Sequence, residues 1–328
     1  MSYKSSFWNL SRAGSSICDI NNGKQYDYFF LSKGVEDRAY KTIDYLKGFI
    51  PQKIIIFDSR RKQELLSAAD FKKYNQIEQI FTEEKIEQYQ VISAEDYNLG
   101  VVTAEKKLHG LNRVAIDISS MNFWEMGDLL YYLIRIAKVD ILDLYYTEPD
   151  FYKYEHNNIM IYEHPAPTVS FNYPPNYACT RTTQSQEIFI AVMGFQKHIL
   201  KCMRDNADYS DYYSINGFPA FYPKAKDISQ ANNVDYLSEV DPVHCYSAQA
   251  NNPFLCYNTI VDITKPNNDA IFTLCPLGSK PMTVGVLLFV LKHPQHSRVV
   301  YPNKECAITK NDGIGNTFCY RITSDFLQ

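Results

Sequence analysis

The stretch FTLCPLGSKPMTVGVLLFVLK, residues 272–292, decides how this chain is read. Two apolar runs flank a turn that carries Gly278, Ser279 and Lys280 between Pro276 and Pro281. Three readings compete: a membrane span, a buried strand–turn–helix, or a loop built to hold an anion. A spanning helix needs about 20 consecutive apolar residues. Here two prolines and a lysine break the run, and the unbroken part from Met282 to Leu291 covers half that length. The membrane reading fails, which leaves a strand, a turn and a helix. Pro281 suits the first helical turn, where a missing N–H costs nothing. Gly278 lets the backbone approach closely, Ser279 supplies a hydroxyl and Lys280 a point charge, the parts an anion cradle needs. The competing reading is a turn shaped by Gly and Pro alone, with Lys280 in water.

Moving outward, the same grammar recurs. YDYFFLSKGVEDRAYKTIDYLKGF (26–49) and EIFIAVMGFQKHILKCMRDN (187–206) each read as strand, glycine turn and amphipathic helix, and Gly34 and Gly194 are 160 residues apart. RVAIDISSMNFWEMGDLLYYLIRIAK (113–138) pairs with the opening stretch, Ser119 standing 160 residues before Ser279 and Met121 standing 161 before Met282. Landmarks at a near-constant offset imply an internal duplication. Between the halves, residues 163–186 hold four of the 15 prolines and little helical periodicity, as a linker should. The expected organisation is an N-terminal domain over 1–163, a Pro-rich linker over 164–186 and a C-terminal domain over 187–328. KIIIFDS (53–59) is a short β-branched run of the kind buried on both faces of a parallel sheet. Strands alternating with helices then predict an α/β class with two tandem Rossmann-like domains and mainly parallel sheets. Residues 207–265, rich in Asn, Asp, Pro and Tyr, read as long loops, and NDGIGNTF (311–318) reads as a terminal hairpin.

Bulk properties agree with that plan. A chain of 328 residues exceeds what one core usually serves. With 45% hydrophobic and 21% charged residues there is apolar material for two cores, and no reason to expect disorder. The net charge of −4 falls on residues 1–163, and 164–328 is neutral, so neither an extended nucleic-acid surface nor an anionic membrane is an expected partner. The eight cysteines form no C-x-x-C pair, and the opening MSYKSSFWNLSRAG has no apolar secretory core, which points to structural thiols in a cytoplasmic protein. The seven histidines show no metal-ligand spacing, and His244 beside Cys245 lacks the spatial opposition a nucleophilic pair needs, so no metal site or thiol nucleophile is expected.

In open parallel sheets, ligands bind beyond the carboxyl ends of the strands. That rule selects the turns at 32–37 with Gly34, at 117–121 with Ser119 and Ser120, at 193–197 with Gly194, and at 276–282. None contains the G-x-x-x-x-G-K-[ST] of a Walker loop. CPLGSKPM (275–282) resembles the G-[GS]-[TS]-K-x-M turn of CARF domains, Rossmann-like sensors of cyclic oligonucleotides in prokaryotic immunity. DISSM (117–121) is similar to a degenerate copy that keeps small residues and the Met, without Gly or Lys. A chain with both would resemble the fused CARF-like pair of SAVED domains. The resemblance implies a nucleotide or other phosphorylated small molecule held by Gly278, Ser279 and Lys280, with Ser119 and Ser120 across a pseudo-two-fold axis. It also implies a protein partner in an antiviral defence or signalling system. No HEPN motif, nuclease triad or transmembrane effector accompanies it.

The alternative chemistry uses carboxylates. Asp58 and Asp117 end apolar strands, while Glu36 and Glu148 lie in turns at the same expected edge. Such a group could bind a divalent ion or act as acid and base in a nucleotide or nucleoside hydrolase. The plainer reading has Asp117 capping the next helix or pairing with Arg38. A structural subunit of a larger complex is the third possibility. Phe218, Phe221 and Tyr222, among prolines, either stack a base or pack a loop onto the sheet.

Overall fold

The computed structural model describes residues 15–17, 25–46, 51–59, 66–93, 111–150, 171–179, 186–196, 198–205, 207–302 and 311–327. In chain order the first elements are β1 (Ser15–Ile17), β2 (Tyr28–Ser32), α1 (Ile43–Leu46), β3 (Lys53–Asp58), α2 (Ala68–Tyr74), α3 (Gln76–Glu83), β4 (Tyr89–Ser93), β5 (Arg113–Asp117), α4 (Phe123–Tyr131) and β6 (Ile141–Thr147). There follow β7 (Phe171–Asn172), β8 (Glu187–Val192), α5 (Ile199–Asp205), β9 (Asp211–Gly217), α6 (Ala225–Asn232), α7 (Val234–Leu237), β10 (Cys245–Ala248), α8 (Pro253–Thr264), β11 (Ile271–Pro276), α9 (Lys280–Lys292), β12 (Ser297–Val299) and β13 (Tyr301–Pro302). The chain closes with β14 (Thr317–Thr323) and α10 (Ser324–Leu327). The fold is mixed α/β with mainly parallel sheets.

The chain forms two compact units, Met1–His156 with Cys306–Gln328, and Asn157–Glu305. The second unit is therefore an insertion in the first, and 306–328 does not belong to the expected C-terminal domain. The physical cause is strand pairing. β14 runs antiparallel to β6 from Thr317↔Thr147 to Thr323↔Ile141, with β1 on its other side. The expected terminal hairpin is replaced by this long-range pairing.

In the first unit the sheet order is β1-β14-β6-β5-β2-β3-β4, and the strands from β6 to β4 are parallel. In the second it is β10-β9-β8-β11-β12, all parallel. Counting each parallel set in chain order gives the same arrangement, 3-2-1-4-5, that of Rossmann-like sheets. Its switch point lies between β2 and β5 in one unit and between β8 and β11 in the other. The central strands are buried on both faces, as their unbroken apolar runs require: Ile54 to Phe57 and Phe189 to Val192 are essentially inaccessible. In the first unit Phe29, Leu31, Ile54 and Ile56 pack against Ile77 and Phe81 of α3. In the second, Phe189 and Ala191 pack against Leu200 and Met203 of α5 and Tyr236 of α7.

The stretch quoted at the outset is β11 and α9. Every residue of α9 from Pro281 to Leu291 is buried, so the helix is apolar all round because it is covered all round. It packs on α8, where Gly285 faces the Pro253 carbonyl and leaves no room for a Cβ. Tyr177, in the expected linker, belongs to a short turn packed on α9, and β7 pairs with β13. Residues 171–179 are thus part of the second unit. The expected loops at 207–265 instead contain β9, α6, α7, β10 and α8. Among the described residues, no helix is long and apolar enough to cross a membrane.

Candidate functional site

Each unit brings its two switch-point turns together. In the second, a Cβ on Gly194 would strike the backbone carbonyl of Leu277, so only glycine lets the turn after β8 lie against the turn after β11. A Cβ on Gly278 would press on Val192 and the Met282 sulfur. Ser279 is the N-cap of α9: its Oγ accepts the Met282 N–H at 3.3 Å and donates to the Ala250 carbonyl beyond β10. The N–H groups of Gly278 and Ser279 have no bond among the described residues, and they precede a helix of 13 residues whose dipole favours negative charge there. Lys280 opens the helix half-buried. The Gly194 carbonyl is held by Ser229 Oγ at 3.0 Å and Asn233 Nδ2 at 2.9 Å, which fixes the facing turn. Gln196 Oε1 is buried there with no hydrogen-bond partner. Phe218, just beyond β9, is exposed, with Lys226 Nζ 4.7 Å from its ring centre.

In the first unit a Cβ on Gly34 would strike Ser120 Oγ, so these two expected site residues are neighbours. Ser119 is wholly buried, and its Oγ accepts the Thr147 N–H at 2.9 Å, a link between β5 and β6 that withdraws the side chain from the surface. Ser120 is half-buried. Each carboxylate has local partners of its own, and Arg38, which ion-pairs Glu36, also acts on the Glu148 carboxyl. Asp117 is buried, takes the Ser119 N–H at 2.8 Å and accepts the Thr42 hydroxyl. The N-cap role expected of it is filled by Asn122, which caps α4, and Arg38 ion-pairs Glu36 at 2.6 Å. Glu36 also accepts from Asn311 N and Nδ2, at 2.9 and 3.0 Å. Glu148 accepts from Asn316 N and Nδ2; burial lifts its carboxyl above the usual range, opposed by those two donors. Among the described residues no three or more His, Cys, Asp or Glu side chains are grouped to hold a metal.

Asp58 reveals a residue whose role sequence reasoning missed. It ion-pairs Lys33 at 2.9 Å and accepts the Tyr74 hydroxyl at 3.0 Å. Lys33, at the exit of β2, is 2% exposed and also reaches Glu78 at 2.6 Å and Asn75 at 3.0 Å. A lysine directly after an apolar strand was the signal, but its partners come from β3 and α3. His244 stacks on Tyr213 with centroids 4.0 Å apart and meets Asp211 at 3.1 Å.

No family model matches the chain, and neither does any curated protein. Solved structures similar to it include a functionally unknown protein from Pseudomonas aeruginosa PAO1, 9% identical over 88% of this chain and 93% of that one, with a TM-score of 0.26. A universal stress protein from Archaeoglobus fulgidus DSM 4304 is 9% identical over 89% of this chain and 98% of that one, with a TM-score of 0.25. At those scores the likeness carries no argument, and the fold rests on the strand order itself.

Proposed function

We propose that this chain binds a nucleotide or another phosphorylated small molecule at the switch point of its second unit. The observation that carries the reading is the turn from Leu277 to Lys280, where Lys280 opens a long helix beyond the carboxyl end of β11 and the N–H groups of Gly278 and Ser279 have no bond among the described residues. Phosphate oxygens would take those donors, and exposed Phe218 with Lys226 beside it offers a stacking surface for a base. The CARF-like form of GSKPM extends the proposal to a sensor in a prokaryotic defence system, acting through a protein partner. Gly34 and Gly194 follow the first strand of the 3-2-1-4-5 order in their units, and Ser119 and Ser279 follow the fourth, which favours descent from a duplicated half.

The test is thermal unfolding with linear and cyclic nucleotides for the wild type and Lys280→Ala, with the ligand examined afterwards by mass spectrometry. A ligand at 100 times its Kd should stabilise the wild type by about 2.7 kcal/mol. Loss of the lysine should weaken binding about tenfold or more, since hydrogen bonds to a charged group are worth about 1.5–3 kcal/mol. The ligand should be recovered unchanged. Stability that no nucleotide moves would sink the proposal, and a hydrolysed ligand would replace the sensor by an enzyme.

A further inference from the structure

A cleft of about 290 Å³ opens in the first unit, on the β2 side of its switch point. Gly34, Val35, Ile80 of α3 and Ile314 of the returning segment line it. Its volume is at the lower end of the roughly 300–1,000 Å³ typical of small-molecule sites, too little for a dinucleotide. Tyr40, another wall, is held because its hydroxyl lies within hydrogen-bond distance of the carbonyls of Gly34 at 2.9 Å and Tyr74 at 2.8 Å, sharing its one proton between them, and accepts the Gly34 N–H at 3.3 Å. The wall is rigid before any ligand arrives.

The charges around the cleft come in opposite pairs. Lys73 meets Asp37 at 2.8 Å, Lys41 meets Asp44 at 2.9 Å, and Glu36 meets Arg38 at 2.6 Å. A phosphate entering here would face three carboxylates, and a simple cation would face two ammonium groups. A molecule that carries one charge of each sign is matched by both. The Lys73–Asp37 pair has both side chains about half exposed, and such pairs contribute almost nothing to stability. Giving up the Lys73 contact therefore costs little, and Asp37 also accepts the Gly313 N–H at 3.4 Å. The inserted ligand would replace one weak pair by two, its carboxylate on Lys73 and its ammonium on Asp37. Ile314 is 45% exposed, and with Ile80 and Val35 it would cover an apolar side chain.

We propose that this cleft binds a small zwitterion of the free amino-acid class with an apolar side chain. The site is separate from the phosphate site proposed for the second unit and does not depend on it. Calorimetric titration of the full chain with the standard free amino acids tests the idea, with their N-acetyl amides as uncharged controls. At least one apolar amino acid should bind, and its capped form should bind about tenfold more weakly or not at all. Asp37→Asn and Lys73→Gln should each weaken binding by about tenfold, while Lys280→Ala should leave it unchanged. Both residues lie at the surface, so circular dichroism should report an intact fold in either variant. The proposal is overturned if no free amino acid binds at about 1 mM, if capped and free forms bind alike, or if both variants bind as the wild type does.

Discussion

Asparagine in place of Asp143 keeps the shape of the side chain and removes its charge, which makes Asp143→Asn a direct probe of how the returning strand is held. Asp143 is wholly buried on β6, directly opposite Arg321 of β14. Its Oδ1 accepts Arg321 Nε at 2.7 Å, and its Oδ2 accepts Arg321 Nη2 at 2.8 Å, Arg113 Nη2 at 2.5 Å and the Tyr26 hydroxyl at 2.9 Å. The variant would leave two guanidinium groups without a counter-charge. Breaking a buried ion pair in this way costs about 3–5 kcal/mol. The arginine side chains retain 11% and 16% exposure, so partial hydration places the expected loss near the lower end, about 3 kcal/mol. With a urea slope of about 2 kcal/mol/M, the midpoint should fall by about 1.5 M. Tryptophan fluorescence reads this selectively, because both tryptophans, Trp8 and Trp124, belong to the first unit's stretch of chain. The same carboxylate predicts a pH dependence. Burial alone would raise its pKa, but Arg321 and Arg113 more than offset that and hold it below the ordinary value. A depressed carboxyl stabilises the fold above its unfolded pKa of about 3.9, and that contribution is lost as pH falls through the lower folded value. Wild-type stability should therefore drop below about pH 4 by a component that the asparagine variant lacks. An unchanged urea midpoint, or strictly additive effects of Asp143→Asn and Arg321→Met, would refute the reasoning, since groups in contact must couple.

Other consequences follow from packing. Gly194→Ala should destabilise the second unit by about 1–3 kcal/mol, because its new methyl meets a backbone carbonyl that cannot turn away; a far-UV melt matching the wild type would show that the turn can shift. Burial pushes the Cys256 thiol up to about 12 and the Cys275 thiol higher still, whereas Cys245 is exposed. A thiol reagent at neutral pH should label Cys245 in the native protein and reach Cys256 and Cys275 only after unfolding, since the thiolate is the reactive form. Native labelling of Cys256 at the Cys245 rate would contradict that burial.

What could be read from sequence alone was whatever depends on neighbours along the chain. Apolar runs announced β2, β3, β8 and β11, because a strand buried on both faces needs apolar residues throughout. Gly34, Gly194, Gly278 and Pro281 marked where those strands hand over, because backbone freedom and a missing N–H act locally. β10 escaped notice because it is an edge strand whose exposed residues, Cys245 and Ser247, dilute the apolar signal. Ser119 looked like a pocket residue until β6 supplied the Thr147 N–H that its hydroxyl accepts. Lys33 acquired meaning only when β3 and α3 brought Asp58 and Glu78 to it. The path of the chain was the least legible feature. The alternation in TFCYRIT suits pairing with any strand, near or distant, and a charge on one strand cannot be seen to need its counter-charge on another. Sequence by itself thus determined the central strands, the helices that follow them and the position of the candidate turns, but not the elements between 207 and 265. Tertiary structure alone decided that β14 returns to β6, where the Asp143 carboxylate meets the Arg321 guanidinium and an isolated charge would be too costly to bury.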